Sequence, residues 1–329
     1  MTPTYSIIIP HKDIPGLLQR CLDSIPVRDD IEIIVVDDNS DPRKVDFANF
    51  PSWKGTRYEY YLTKEGKGAG FARNVGLDHA KGRWIIFADA DDFFIADFNS
   101  LLDEMADAEE DIVFFDYINV LSDDIMQQVE ERVQYRKYIA AYLDVDQSEF
   151  NLMVLFAPPW CKIFRRELIE HHHIRFSEVQ WGEDVFFSVE TGFYADAIGV
   201  SGKRTYAITS RAGSVTDNFC ATAEEFRVRT VEVLKCDDLL VERYGKCARS
   251  RYWFGFVCRK KRVWRFAWFT VANVFHPRVF GPAVLFLARV AGTKVKSLMR
   301  RIQKYLSSSP FGTLAMAFAA AWPRCADRR

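Results

Sequence analysis

The segment from Gly66 to Asp92, GKGAGFARNVGLDHAKGRWIIFADADD, constrains this chain more than any other. It closes on an apolar, strand-forming run, Trp84 to Ala88, that delivers Asp89, Asp91 and Asp92 at its tip. Three carboxylates at the carboxyl end of a buried strand repel one another unless a cation neutralises them. Asp89 and Asp91 fall on the same side of an extended backbone, with the small Ala90 between them. An Asp-x-Asp pair suits a hard divalent ion such as Mg2+ or Mn2+, which keeps open positions for phosphate oxygens. A helix N-cap at Asp92 would account for one acid and leave two unexplained.

The surrounding pattern alternates strand and helix. Tyr5 to Ile9 is a short β-branched run ending at Pro10, and Leu17, Leu18, Cys21, Leu22 and Ile25 then recur at helical spacing. Glu32 to Val36 reads as a second buried strand, with Asp37-Asp38-Asn39-Ser40 at its end. Tyr58 to Leu62 is a third, after which Gly66, Gly68 and Gly70 open a loop. A helix is expected over Phe71 to Ala80 with Gly82 as its C-terminal cap. Strands follow at Trp84 to Ala88 and Ile112 to Tyr117. This alternation predicts an α/β fold with an open, mostly parallel sheet and flanking helices. Ligands gather at the carboxyl ends of the strands in such sheets, and both acidic clusters fall there.

Beyond Ile118 the pattern weakens. Asp123 to Gln147 is polar, a loop or surface helices; an apolar stretch starts at Pro158; Glu167 to His173 reads as a helix end. Lys203 to Thr209 is strand-like, and Glu224 to Leu240 is helical. The overall net charge of -1 hides a split. From Arg243 onward there are nineteen Lys/Arg and one acid, a net +18; the first 242 residues hold 25 bases and 44 acids, a net −19. An acidic domain over 1–242 and a basic, aromatic-rich helical region over 243–329 are therefore expected, the second with an anionic partner. The seven cysteines form no Cys-x-x-Cys pair, which points to a reducing cytosol rather than a disulfide framework. Residues 1 to 10 lack a basic region, so no signal peptide is expected. Arg265, His276, Pro277, Arg278 and Arg289 interrupt every apolar run long enough to suggest a span.

Taken together, these landmarks closely resemble the family 2 inverting glycosyltransferases, which have the GT-A fold. The resemblance runs from Tyr5 to about Ser214. A strand ends at Pro10, and Val36-Asp37-Asp38-Asn39-Ser40 stands where the family has an Asp-Asp-Gly-Ser type turn. Gly70-Phe71-Ala72-Arg73-Asn74-Val75-Gly76 matches the glycine, Ala-Arg-Asn and glycine signature. Asp89-Ala90-Asp91-Asp92 matches the Asp-x-Asp motif, and Gly182-Glu183-Asp184 the Glu-Asp motif.

The resemblance implies sugar transfer from a nucleoside-diphosphate sugar, a UDP-sugar being expected, to a hydroxyl of a glycan or lipid-linked glycan. It implies Mn2+ or Mg2+ as cofactor. Asp38 would accept the uracil imide hydrogen, with Asp37 supporting the turn and Pro10 and Gly70 lining the donor. Asp89 would reach ribose or metal, and Asp91 would bind the metal bridging both phosphates. Arg73 is either a donor contact or an ion pair to an Asp of the motif; Asn74 begins the helix beneath the donor. Arg211, in Ser210-Arg211-Ala212-Gly213-Ser214, is a candidate phosphate contact. Asp184 is the expected base, with Glu183 beside it; one carboxylate suffices for inversion. The competing reading makes Glu183-Asp184 the cap of the apolar helix that follows. Trp181 offers a sugar platform or a core ring. Trp160 and Lys162 form a Trp-x-Lys element of unassigned role. His171-His172-His173 point in different directions on a helix, so a solvated helix end is expected rather than a metal site.

Two other functions compete. A sugar nucleotidyltransferase would carry a glycine-rich phosphate loop after the first strand, where Pro10-His11-Lys12-Asp13 stands. A non-catalytic, membrane-tethered sugar-binding protein would not need every carboxylate intact. In the basic region, Arg259-Lys260-Lys261-Arg262 lies among Trp253, Phe254, Phe256, Trp264, Phe266, Trp268 and Phe269. Bases interleaved with large rings suit an anionic bilayer surface. A cytoplasmic protein, peripheral on the inner face of the cell membrane, is expected, and no nucleic-acid partner.

Overall fold

The first apolar run, YSIIIPH, forms β1 (Tyr5–His11) in the interior of the sheet, flanked by two parallel neighbours. The computed structural model describes residues 2–49, 58–129, 133–146, 149–211 and 222–244. They fall into two units, one ending at Ala221 and one beginning at Thr222. In the first, β1 is followed by α1 (Pro15–Asp23), β2 (Ile31–Asp38), β3 (Tyr58–Thr63) and α2 (Ala69–His79). Next come β4 (Trp84–Phe87), β5 (Phe93–Phe94), α3 (Phe98–Met105) and β6 (Ile112–Leu121). α4 (Val133–Ala141) leads into π-helical turns at Tyr142–Asp146 and Asn151–Leu155. β7 (Lys162–Arg165), α5 (Arg166–His171), α6 (Glu183–Tyr194) and β8 (Ile198–Ser210) complete the unit.

The described strands form one sheet in the order β3-β2-β1-β4-β7-β6-β8-β5. β1, β2, β3 and β4 pair in parallel, as do β6 and β8, while β7 runs antiparallel between β4 and β6. The mostly parallel sheet expected from the alternation is present. β7 was not anticipated as a strand, because its four residues show no period of their own. β6 and β8 each extend well past the expected runs.

Short apolar runs sit in this sheet because both faces are covered. Ile7, Ile8, Ile9, Ile33 to Val36 and Trp84 to Phe87 are all essentially inaccessible, the signature of parallel strands rather than half-exposed ones. α1 opens on Pro15 in its first turn and buries Leu18, Cys21 and Leu22 at helical spacing. Behind β4, Phe87 meets Phe164, Phe176 and Phe187 edge-on, and Phe176 stacks on Phe187 at 3.9 Å. That aromatic cluster locks α6 against the strand that leads to Asp89.

One expectation is corrected, and the alternative weighed for Asp92 is set aside. Gly82 does not cap α2, which ends at His79 with Ala80 as its extended C-cap. Gly82 is instead required by close approach to β1, since a Cβ there would stand 2.6 Å from the Ser6 amide nitrogen. Nor does Asp92 cap a helix: the N-cap of α3 is Asp97.

The second unit contributes α7 (Ala223–Tyr244), which buries Phe226, Val233, Leu234, Cys236 and Leu240 and pairs Arg229 with Glu225 at 3.0 Å. Apart from Arg243 and Tyr244, the basic region 243–329 lies outside the described residues, as do Ala212, Gly213 and Ser214. No helix among the described residues is long and apolar enough to cross a membrane.

Candidate active site

The carboxyl ends of β2, β1 and β4 lie side by side, and each delivers acid or base residues to the same edge. β1 and β2 are in register to the last pair, His11 opposite Asp37. β4 leaves the ladder earlier, its Phe87 opposite Ile8. The Ile8 carbonyl accepts the Ala88 amide at 3.1 Å. By alternation Pro10 also faces the β4 side, where no ladder bond is needed and proline is tolerated.

Asp37 is buried and fully engaged. It accepts the Ser40 amide at 2.8 Å, the Ser40 hydroxyl at 2.6 Å and His11 Nδ1 at 2.7 Å. The Ile14 amide donates to His11 Nε2 at 3.2 Å, so the His11 proton sits on Nδ1 and points at Asp37. Burial raises the Asp37 carboxyl, but hydrogen bonds from His11 and Ser40 outweigh it and hold the group below its ordinary value. This side chain builds the turn. Its neighbour Asp38 accepts the Gly68 amide at 2.8 Å, with Lys12 Nζ at 3.5 Å and the Thr63 hydroxyl at 3.4 Å. Gly68 precedes α2 at φ 98°, a value that needs glycine. Asp38 thus ties the end of β2 to the start of α2.

The turn after β4 is held from behind by residues far away in sequence. The Asp89 amide donates to the Tyr206 hydroxyl at 2.9 Å. The Asp91 carbonyl accepts from Arg20 at 2.6 Å and from the Thr209 hydroxyl at 2.7 Å. Asp92 is buried and accepts the Thr209 amide at 2.7 Å. Asp89, Asp91 and Asp92 each place a carboxylate oxygen within 4.8 Å of the others, a spacing that one divalent cation can span. Burial, then the Asp89 charge, raise the Asp91 carboxyl above its ordinary value, although Arg211 reaches it at 3.2 Å. An oxygen-only donor set of three carboxylates, only partly offset by Arg211 and Arg73, fits Mg2+ or Mn2+.

Arg73 connects this turn to α6. Its guanidinium is buried and donates to Asp89 Oδ1 at 2.8 Å and to Glu183 Oε1 at 3.1 Å. Of the two roles open in the sequence, the ion pair is the one seen. Glu183 and Asp184 occupy the first turn of α6, whose N-cap is Gly182 in the left-handed conformation. Neither acid is the cap. Burial, then the Asp184 charge, raise the Glu183 carboxyl despite Arg73. Gly70 lies against this turn: a Cβ would stand 2.4 Å from the Ser177 carbonyl and 3.0 Å from Glu183 Cβ. Asn74 is spent on the backbone, donating to the Phe176 carbonyl at 3.0 Å and accepting the Phe176 amide at 2.8 Å.

Trp181 is half-buried beside Gly182. Trp160 and Lys162 are buried in the core and do not join the acids. His171 and His173 are exposed and His172 stacks on Tyr194 at 3.9 Å, as a solvated helix end would have it. Sequence reasoning missed His11, Arg20, Tyr206 and Thr209 as supports. Only His11 carried a signal, since it follows Pro10 at a strand end beside an acidic turn.

The sequence profile described as Glycosyl transferase family 2 matches residues 6–172, just over half of the chain. The chain belongs to that family. The Bacillus subtilis (strain 168) protein EpsH, named as a glycosyltransferase, is 29% identical over 209 residues, 60% of this chain and 58% of EpsH. The GalNAc(5)-diNAcBac-PP-undecaprenol beta-1,3-glucosyltransferase of Campylobacter jejuni is 27% identical over 199 residues, 58% of this chain and 62% of that protein. The chain therefore spans under two thirds of these relatives. The crystal structure of Staphylococcus aureus TarS 1-349 in complex with UDP-GlcNAc covers 90% of this chain and 83% of that one, with a TM-score of 0.54 at 20% identity. The glycosyltransferase family and its GT-A type sheet are thus shared.

Proposed function

We propose that this chain transfers a sugar from a UDP-sugar to a hydroxyl of a glycan or lipid-linked glycan, with inversion at the anomeric carbon. The observation that carries the reading is the convergence of Asp89, Asp91 and Asp92 with Arg73 and the first turn of α6. Asp89 and Asp91 are the residues that would hold Mn2+ or Mg2+. When bound, such an ion supplies Lewis-acid neutralisation of the negative charge that grows on the leaving diphosphate. Arg211, paired with Asp91, contributes a cation on the same side.

The remaining residues bind and orient. Asp38, whose Oδ2 accepts the Gly68 amide and whose Oδ1 accepts the Thr63 hydroxyl at 3.4 Å, is the carboxylate that would accept the uracil imide hydrogen. Asp37 stabilises the turn that presents Asp38, and Pro10 and Gly70 line the path of the donor. Asn74 fixes the segment around Phe176, and Arg73 fixes Asp89 relative to Glu183. Asp184 takes the proton from the acceptor hydroxyl, with Glu183 completing the acceptor side. Inversion needs no second nucleophile.

We assign catalysis to residues 1–242 and docking on an anionic inner membrane surface to the basic region 243–329. The name of the Campylobacter relative, which includes an undecaprenol-linked glycan, supports an acceptor held at a membrane. Full-length protein should sediment with anionic vesicles at moderate salt, and its absence from the pellet would remove the membrane assignment.

The test of activity is direct. The purified protein is incubated with Mn2+ and a panel of nucleotide sugars, and nucleotide release is followed. Release from one UDP-sugar, and a product anomer opposite to the donor's by NMR, are expected. Retained configuration would contradict the single-base mechanism, and no release from any donor would contradict the assigned reaction.

A further inference from the structure

Trp160-Cys161-Lys162 is buried throughout, with relative exposures of 2%, 0% and 1%, yet it contains an ammonium and a non-glycine residue at φ 59°. Neither feature is needed to fill a core. A methionine or leucine would fill the space of Lys162 without the cost of a buried charge, and left-handed backbone at Cys161 is strained. The contacts show what the two features achieve.

Trp160 lies parallel to Tyr206, with ring centroids 6.4 Å apart and planes 16° from one another. It also meets Tyr117 edge-on at 5.2 Å. Tyr206 is the residue whose hydroxyl accepts the Asp89 amide at 2.9 Å. Lys162 donates to the Phe156 carbonyl at 2.6 Å and to the Ser188 hydroxyl at 3.2 Å, and Ser188 donates to the Ala157 carbonyl. The rings of Phe114, Phe156 and Phe164 surround the ammonium at 5.4, 4.9 and 5.9 Å. Ser188 is one helical turn beyond Asp184 on the same face of α6. Cys161, anchored by its carbonyl to the Phe115 amide at 3.1 Å, stands between the two side chains.

We propose that Trp160 and Lys162 are positioning residues that set the distance between the donor turn and the base helix. Trp160 acts on Asp89 through Tyr206, Lys162 acts on Asp184 through Ser188, and the left-handed Cys161 aims them at the two halves. The proposal rests on the assignment of Asp89 to the donor side and Asp184 to the acceptor side.

The two arms separate experimentally. Calorimetry of UDP binding at a series of Mn2+ concentrations reads the donor turn; the turnover number for UDP release from the active UDP-sugar, with water as acceptor, reads the base helix. Tyr206→Phe and Trp160→Phe should raise the Mn2+ concentration for half-maximal UDP binding by about fivefold or more, with turnover recovering at high Mn2+. Lys162→Met and Ser188→Ala should leave that concentration within about twofold and lower turnover by about tenfold or more. If Lys162→Met fails to fold, Ser188→Ala carries that arm. Tyr5→Phe is the control, because its buried hydroxyl donates to the Leu102 carbonyl at the far end of β1 and should move neither reading. The proposal is overturned if all four variants shift both readings together, or if Tyr5→Phe moves the readings as they do in proportion to its loss of melting temperature. Wild-type UDP binding that ignores Mn2+ would instead overturn the donor assignment, and this proposal with it.

Discussion

Asp89 and Glu183 share one guanidinium: Arg73 donates to the first at 2.8 Å and to the second at 3.1 Å. The two acids come from different elements, the end of β4 and the first turn of α6. Arg73 is buried, and its Nε has no hydrogen-bond partner among the described residues, so its pairing is directed at the two carboxylates. The planar fork of arginine is what allows one cation to serve both.

Arg73→Lys keeps the charge and removes the fork. A single ammonium lacks the two separate NH2 groups that now serve one acid each, so the pairing of at least one carboxylate is weakened in a desolvated place. Breaking a buried pair in this way costs about 3–5 kcal/mol when fully buried, and less here because Asp89 is 30% exposed. A lower melting temperature together with a fall in transfer of about 10²-fold is expected. Near-normal transfer in the lysine variant would show that the shared guanidinium is not required.

For the base, Asp184→Asn removes basicity while nearly preserving shape. UDP-sugar affinity by calorimetry should persist as transfer falls by about 10²-fold or more. Glu183→Gln should reduce transfer less and also lower stability, since Arg73 then loses one of its two partners. If Glu183→Gln proves the more damaging of the two, the base assignment passes to Glu183.

Glu190, half-buried on α6, has its carboxyl pushed up to about 7 by burial. A carboxyl with a raised folded-state value binds its proton more tightly in the folded chain, so stability falls as pH rises. The loss begins near the unfolded value of about 4.5, grows up to pH 7 and is complete above it. Glu190→Gln should therefore melt higher than wild type at pH 8 and at nearly the same temperature at pH 4.5. An equal difference at both values would mean that burial of the ionised group is not the cause.

Much of the sheet edge that carries the acids was legible in the sequence. The apolar runs before Pro10, Asp37 and Asp89 have the length and β-branching of buried parallel strands, and acids gathered at the tip of such a run repel one another unless a bound cation offsets them. The supports were not legible. Arg20, Tyr206 and Thr209 reach the Asp89–Asp92 turn from β8 and α1, contacts across more than 70 residues that leave no local period. β7 was missed for a related reason: four residues show no alternation, and its place is set by β4 and β6 on either side. Asn74 belongs to the same signature as Arg73, yet its amide is spent on the Phe176 backbone, which only a folded chain could reveal.

The central claim is that the turn of Asp89, Asp91 and Asp92 builds a metal-dependent site for a nucleoside diphosphate. Titration of UDP into the full-length protein with Mn2+ present, and again with the metal chelated, tests it most directly. Affinity should be at least about tenfold higher with Mn2+, and Asp91→Asn should erase that difference while leaving the melting temperature close to wild type. Equal UDP affinity with and without the metal, or an Asp91→Asn variant that keeps the full metal effect, would contradict the account.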